Sequence, residues 1–113
     1  DIFNPKTIRA TMGSIFRVPF VYVPELSPVL TQMHERGIHT YAAHLKGQKY
    51  YDSFSFREPT AFLIGNEGNG LTKEISDQAG QYLKIPMEGK VESLNASIAA
   101  ALLMYEAHRQ RNL

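Results

Sequence analysis

The amino-acid sequence predicts an α/β domain, a mainly parallel sheet flanked by helices. Three observations predict it. Segments of helical period alternate with short apolar runs in the order helix–strand–helix–strand–strand–helix–strand–helix. The runs at residues 18–23, 38–43 and 60–64 are nearly unbroken in apolar character, as strands covered on both faces are. The chain has 113 residues, 43% of them apolar, enough for one core and far from the composition of a disordered chain.

Asn4-Pro5 starts the first helix. Asn can cap, and Pro suits the first helical position because its missing N–H would be unpaired there anyway. Ile8, Met12, Ile15 and Phe16 then share one helical face. Residues 18–23 are β-branched and aromatic, with Pro19 and Pro24 near the ends, and read as a short strand. Residues 27–36 form a helix with Val29, Leu30 and Met33 apolar, and Gly37 stops it. Residues 38–43 are a second strand; residues 46–57, polar and aromatic without a period, are a loop. Residues 60–64 are a third strand, 65–70 a glycine-rich loop and 71–79 a short helix. Residues 82–85 are a fourth strand, stopped by Pro86, and 93–110 a long helix. On that helix Leu94, Ile98, Leu102 and Tyr105 mark one face, yet Ala99, Ala100, Ala101 and Leu103 leave little polar surface elsewhere. A helix apolar nearly all round is buried on more than one side, either deep in the domain or against a second subunit. His108, Arg109 and Arg111 suit the negative end of its dipole.

Twelve basic against eleven acidic side chains give a net charge of +1, so any nucleic-acid surface must be a local patch. The absence of cysteine excludes disulfides, Cys-ligated zinc and thiol nucleophiles. It is compatible with a reducing compartment, and the cytoplasm is the expected location. The longest apolar run, residues 98–105, falls far short of the roughly 18–20 residues of a spanning helix. The chain begins with Asp1 rather than Met, which suggests a processed or truncated product.

The densest chemical signal is Phe62-Leu63-Ile64-Gly65-Asn66-Glu67-Gly68-Asn69-Gly70-Leu71. It runs from a strand through glycines to a helix start, where a backbone can approach a ligand closely and free N–H groups can bind polar atoms. It is neither a Walker loop nor a dinucleotide fingerprint, and a plain strand-to-helix turn is the bland alternative. Glu67 between glycines weighs against the bland reading, since a turn needs no carboxylate there. The second signal is Ile85-Pro86-Met87-Glu88-Gly89, followed by Glu92-Ser93-Leu94-Asn95. Ser93 is a candidate N-cap of the long helix, and Asn95 in its first turn could reach a ligand instead.

Those two blocks, with Tyr105-Glu106-Ala107-His108-Arg109-Gln110-Arg111 at the end and Asn4-Pro5-Lys6-Thr7-Ile8-Arg9 near the start, resemble the SpoU (TrmH-type) RNA 2′-O-ribose methyltransferases of the SPOUT superfamily. The resemblance covers essentially the whole chain. It implies a C-terminal trefoil knot over about residues 60–113, with S-adenosylmethionine bound there largely through backbone groups. By this resemblance Gly65, Asn66, Gly68, Ile85, Met87 and Leu94 bind the cofactor. Glu67, Ser93 and Asn95 match the polar positions at the catalytic centre, with Glu67 as an orienting group rather than the base. The resemblance further implies an RNA substrate, rRNA ahead of tRNA, and a homodimer with the long helix in the interface. Transfer of a methyl group from a sulfonium to a ribose hydroxyl is an in-line displacement that needs alignment and proton removal, and no metal.

One departure matters. The family's earlier motif, which supplies an asparagine and an arginine thought to activate the ribose hydroxyl, has no match here, and Asn4 and Arg9 belong to the later block. Residues 1–113 then read as a single SpoU domain truncated at its N-terminus, lacking the first strand and helix, with little activity expected alone. The alternatives are a non-catalytic module of SPOUT fold that dimerises or binds RNA or cofactor, and a plain α/β nucleotide-binding domain. His34, His39, His44 and His108 offer no tight metal pair and read as surface or packing residues. Tyr50, Tyr51, Phe54, Phe56 and Arg57 could stack on bases or simply pack. Lys6, Arg9 and Arg17 could contact phosphate or form a solvated face.

Overall fold

The computed structural model describes residues 2–44, 47–65, 70–86 and 95–113. Helix α1 (Pro5–Thr11) starts where the sequence places it: Asn4 accepts from the Lys6 N–H at 2.9 Å and Pro5 opens the first turn. It then stops early. Met12 adopts a left-handed conformation at φ 53° and Gly13 follows at φ 85°. The expected face of Ile8, Met12, Ile15 and Phe16 therefore does not form, and Met12 and Phe16 stand exposed. The strand expected at residues 18–23 is also absent among the described residues. Strand propensity is a fit to a pleated, half-buried surface. Here Val18, Phe20, Val21 and Tyr22 are exposed, and Pro19 and Pro24 remove ladder donors. Phe20 instead meets Phe3 and Tyr22 edge-on at 5.9 and 6.0 Å.

Helix α2 (Ser27–Glu35) ends at Gly37, as its sequence predicts. Strands β1 (His39–Ala43), β2 (Thr60–Leu63) and β3 (Gln81–Leu83) form one parallel sheet in the order β2-β1-β3. Helix α3 (Lys73–Gln78) connects β2 to β3. Tyr41 pairs with Phe62 across the β1–β2 ladder and with Gln81 across the β1–β3 ladder. Alternation along β1 splits the core. Tyr41 joins Phe56, Leu83, Leu103 and Ala107 on one face; Ala42 joins Leu30 and Leu63 on the other, beside Met33 of α2 and Ile75 of α3. Buried Thr40 ties three elements: its Oγ1 lies 2.7 Å from His34 Nε2 and accepts from the Gly80 N–H at 2.8 Å.

The end of β3 is held from both edges. The His44 N–H donates to Leu83 O at 3.0 Å on the β1 side. On the other side the Lys84 N–H donates to Lys49 O, and the Tyr51 N–H donates to Lys84 O, each at 2.9 Å. Gly47 sits close against β3: it is buried, and a Cβ there would lie 2.9 Å from the Leu83 carbonyl carbon. The loop expected at residues 46–57 contains a short 3-10 turn, Tyr51–Ser53, and packs Phe54 and Phe56 inward. Phe56 is fully buried, with ring centroids 5.0 Å from both Tyr41 and Phe62.

Helix α4 (Ala96–Arg111) starts later than expected. It begins at Ala96 rather than residue 93, and its buried face is Ala99, Leu103, Glu106, Ala107 and Gln110. The face marked by Ile98, Leu102 and Tyr105 points outward, with Ile98 53% and Tyr105 74% exposed and Leu102 part-exposed; Leu94 lies outside the described residues. Glu106 is buried, accepts two hydrogen bonds from Arg109 at 2.7 and 2.9 Å, and accepts one from Gln110 at 2.9 Å. These bonds, those of Arg109 first, outweigh burial and hold its pKa down at about 2. The folded-state value lies below that of the free carboxyl. The stabilisation is therefore complete above about pH 4.5 and is lost as pH falls toward 2. Glu106→Gln is expected to flatten this acid limb. Urea midpoints of both proteins at neutral pH and near pH 3 measure it, and parallel pH dependences would refute the assignment.

Candidate functional site

All three strands are parallel, so their C-terminal ends share one side of the sheet. In such sheets ligands settle outside those ends. There Ala43 leads to His44, Leu63 to Ile64 and Gly65, and Leu83 to Lys84 and Ile85. Ile64 and Ile85 are both partly buried and pack on the same core cluster, the one covered by α4.

Gly65 is required by close approach. A Cβ there would lie 2.2 Å from the Gly70 carbonyl carbon and from the Leu71 nitrogen. The two ends of the glycine-rich loop therefore touch backbone to backbone. Gly70 completes this neck at φ 65°, a left-handed conformation that suits glycine. Thr72 then caps α3, accepting from the Ile75 N–H at 3.3 Å. A backbone pinched in this way can bring N–H and C=O groups against a small molecule without side chains intervening.

Asn95 lies at the mouth of α4, and its role differs from the expectation of a first-turn residue free to reach a ligand. Its Oδ1 accepts from the Ser97 N–H at 2.8 Å and the Ile98 N–H at 3.3 Å, so Asn95 is the N-cap. Asn and Ser cap about equally well, so the sequence alone did not decide between Ser93, read as the cap, and Asn95. Of the expected site residues, Gly65, Ile85 and Asn95 are placed at strand ends or the helix start. Asn66, Glu67, Gly68, Met87, Ser93 and Leu94 lie outside the described residues.

One flank of the site is built by groups with no motif. The His44 ring stacks on Tyr82 at 4.8 Å and 14°. Tyr82 donates to Asp77 Oδ1 at 2.6 Å, and Lys73 Nζ lies 3.2 Å from Asp77. The Tyr82 hydrogen bond, then that of Lys73, lowers the Asp77 pKa; the same bond raises that of Tyr82. Gly47 is a further residue that sequence reasoning missed. Its constraint comes from Leu83, far along the chain, and leaves no local signal.

The other candidates resolve as packing or surface. His39 Nε2 lies 2.7 Å from Glu58, and His108 Nδ1 lies 3.3 Å from Asn112. Among the described residues no group of three or more His, Cys, Asp or Glu could hold a metal ion. Phe54 and Phe56 are core rings rather than a stacking platform; Tyr50 remains exposed. Lys6, Arg9 and Arg17 are exposed. No helix among the described residues is long and apolar enough to cross a membrane.

Residues 1–105 match the SpoU rRNA Methylase family. The chain belongs to that family. A TrmH family tRNA/rRNA methyltransferase of Bacillus subtilis, YacO, is 38% identical over 92% of this chain and 42% of its own length. The SpoU methyltransferase AviRb from Streptomyces viridochromogenes, solved in complex with AdoMet, superposes with a TM-score of 0.89 at 36% identity. That match covers 98% of this chain and 46% of AviRb. A TrmH/SpoU tRNA modifying enzyme of A. aeolicus gives a TM-score of 0.86 at 32% identity, over 93% of this chain and 54% of that one. The SpoU chain described here thus spans 42% of the length of the YacO protein it matches. The neck of its glycine-rich loop makes a direct prediction. Gly65→Ala should cost about 1–3 kcal/mol by urea denaturation, because backbone rather than a flexible side chain must yield. Gly70→Asn should cost less, since Asn tolerates the left-handed region. Equal losses would refute the close approach.

Proposed function

We propose that this chain is the cofactor-binding part of an S-adenosylmethionine-dependent enzyme that methylates a ribose 2′-hydroxyl of RNA, rRNA ahead of tRNA. The observation that carries the reading is the neck at Gly65 and Gly70, which fits a cofactor held by backbone. Membership of the SpoU family and the AdoMet complex of AviRb support the same reading. The bound cofactor would supply an electrophilic methyl group. Backbone groups from Gly65 through Gly68 would hold it on one side; Ile85, Met87 and Leu94 would form apolar walls that exclude water. Glu67 and Ser93 would orient polar groups at the acceptor ribose, and Asn95 would fix the first turn of α4 beside them. On this reading the chain's residues bind and align; none is assigned as the base for the hydroxyl proton.

Two further parts of the reading have support in the fold. The close approach of Gly47 to Leu83, with Lys49 and Tyr51 bonded to Lys84 on the far edge of β3, suits a chain threaded as a trefoil knot. The outward apolar face of α4, with Ile98, Leu102 and Tyr105, suits a homodimer interface. A cytoplasmic location goes with an RNA substrate.

Calorimetric titration with S-adenosylhomocysteine, the stable product, tests the cofactor site. Saturable binding is expected, lost in Leu94→Arg and not reproduced by ATP or NAD. A folded protein that binds none of them would instead be a non-catalytic module. Sedimentation tests the interface: the wild type should run as a dimer and Tyr105→Asp as a monomer, and a monomeric wild type would refute it.

A further inference from the structure

The C-terminal turn of α4 clasps the segment that leads into β2. The buried Gln110 amide faces the backbone of residues 54–56 as a neighbouring strand would. Its Oε1 accepts from the Phe56 N–H at 2.6 Å, and its Nε2 donates to Phe54 O at 2.9 Å. The second amide hydrogen goes to Glu106 Oε2 at 2.9 Å, so both donors are used. Arg111 Nε donates to Phe56 O at 2.9 Å and its Nη2 to Glu58 O at 3.0 Å; Arg57 Nε returns to Gln110 O at 3.2 Å.

The apolar contact of α4 with the sheet is smooth by comparison. Its buried apolar residues are Ala99, Leu103 and Ala107. A single large side chain between two alanines offers few knobs to fix the register of a helix, and burial itself has no direction. Hydrogen bonds do have direction, with narrow ranges of distance and angle. The helix has 16 residues and therefore rises about 24 Å from end to end. Asn95 caps its far end, at the strand-end site.

We infer that Gln110 is a positioning residue for that site. It sets the axial register of α4, and with it the place of Asn95, by bonding the helix to the segment that enters β2. Both β2, which runs into Gly65, and α4, which starts after Asn95, are referenced to this one amide. The inference rests on the cofactor reading above for what the site holds, but the register itself is testable without a ligand.

The test compares Gln110→Met, which has similar length and no hydrogen bonds, with Leu103→Ala, which loses packing only. Both are examined below their melting temperatures. Hydrogen exchange at the Ser97 and Ile98 amides should rise roughly tenfold in Gln110→Met and much less in Leu103→Ala. S-adenosylhomocysteine affinity should fall roughly tenfold in Gln110→Met, and by less than about threefold in Leu103→Ala at equal or greater loss of melting temperature. Arg111→Met removes two of the outer bonds and should give an intermediate effect even if Gln110→Met does not fold. Unchanged exchange at Ser97 and Ile98 in the folded variants overturns the inference. So does an effect in Leu103→Ala that matches its loss of stability, because the clasp would then contribute stability alone. A wild type that binds no S-adenosylhomocysteine overturns the cofactor reading, and the exchange result still decides the register.

Discussion

Strand β1 is the constraint on which the other elements depend. It pairs in parallel with β2 on one edge and β3 on the other, and its alternate side chains divide the core. Tyr41 anchors a layer of rings under α4, while Ala42 is small enough to let α2 and α3 close over the opposite face. Two consequences follow. The parallel arrangement gathers the chain segments after Ala43, Leu63 and Leu83 at one end of the sheet, where a ligand crevice forms by default. The layered core leaves the glycine-rich neck and the start of α4 to be placed by whatever fixes β2 and α4 relative to each other.

Much of this was legible in the sequence where the signal is local. The caps at Asn4 and Gly37 and the apolar runs of β1 and β2 depend on neighbours a few residues away; the fourth strand, read as 82–85 and stopped by Pro86, is Gln81–Leu83 and ends earlier. The chemistry was legible for another reason: a glycine pattern survives as a motif even when its geometry is unseen. Residues 18–23 failed because a strand is a property of two segments, and propensity reports on only one. Thr40, Gly47 and Gln110 were illegible because each answers a partner remote in sequence: Gly80, Leu83 and Phe56.

Helix α4 was read as apolar nearly all round, with the face that meets the core left open, and the reason is physical. Hydropathy counts Glu106 and Gln110 as outward residues and Ile98 and Tyr105 as inward ones. The helix buries the polar pair because the carboxylate is matched by Arg109 and the amide by the backbone of Phe54 and Phe56. A buried polar group costs little once its bonds are complete, and no buried side-chain N or O atom among the described residues lacks a partner. The large apolar residues are then left facing outward, on the face proposed above as a dimer interface.

The capture of Leu83 and Lys84 between His44 and residues 49–51 also bears on how the chain closes. These bonds cannot all form until β1 is in place, the chain has turned at Gly47, and Tyr50 has come alongside. Contacts of such sequence separation are entropically expensive to close and slow to form. The end of β3 is thus tied to segments far earlier in the chain. Freeing it breaks its bonds to His44, Lys49 and Tyr51 together. Gly47, buried against Leu83, leaves room for that fit, so a bulkier residue there would disturb both edges of the strand at once.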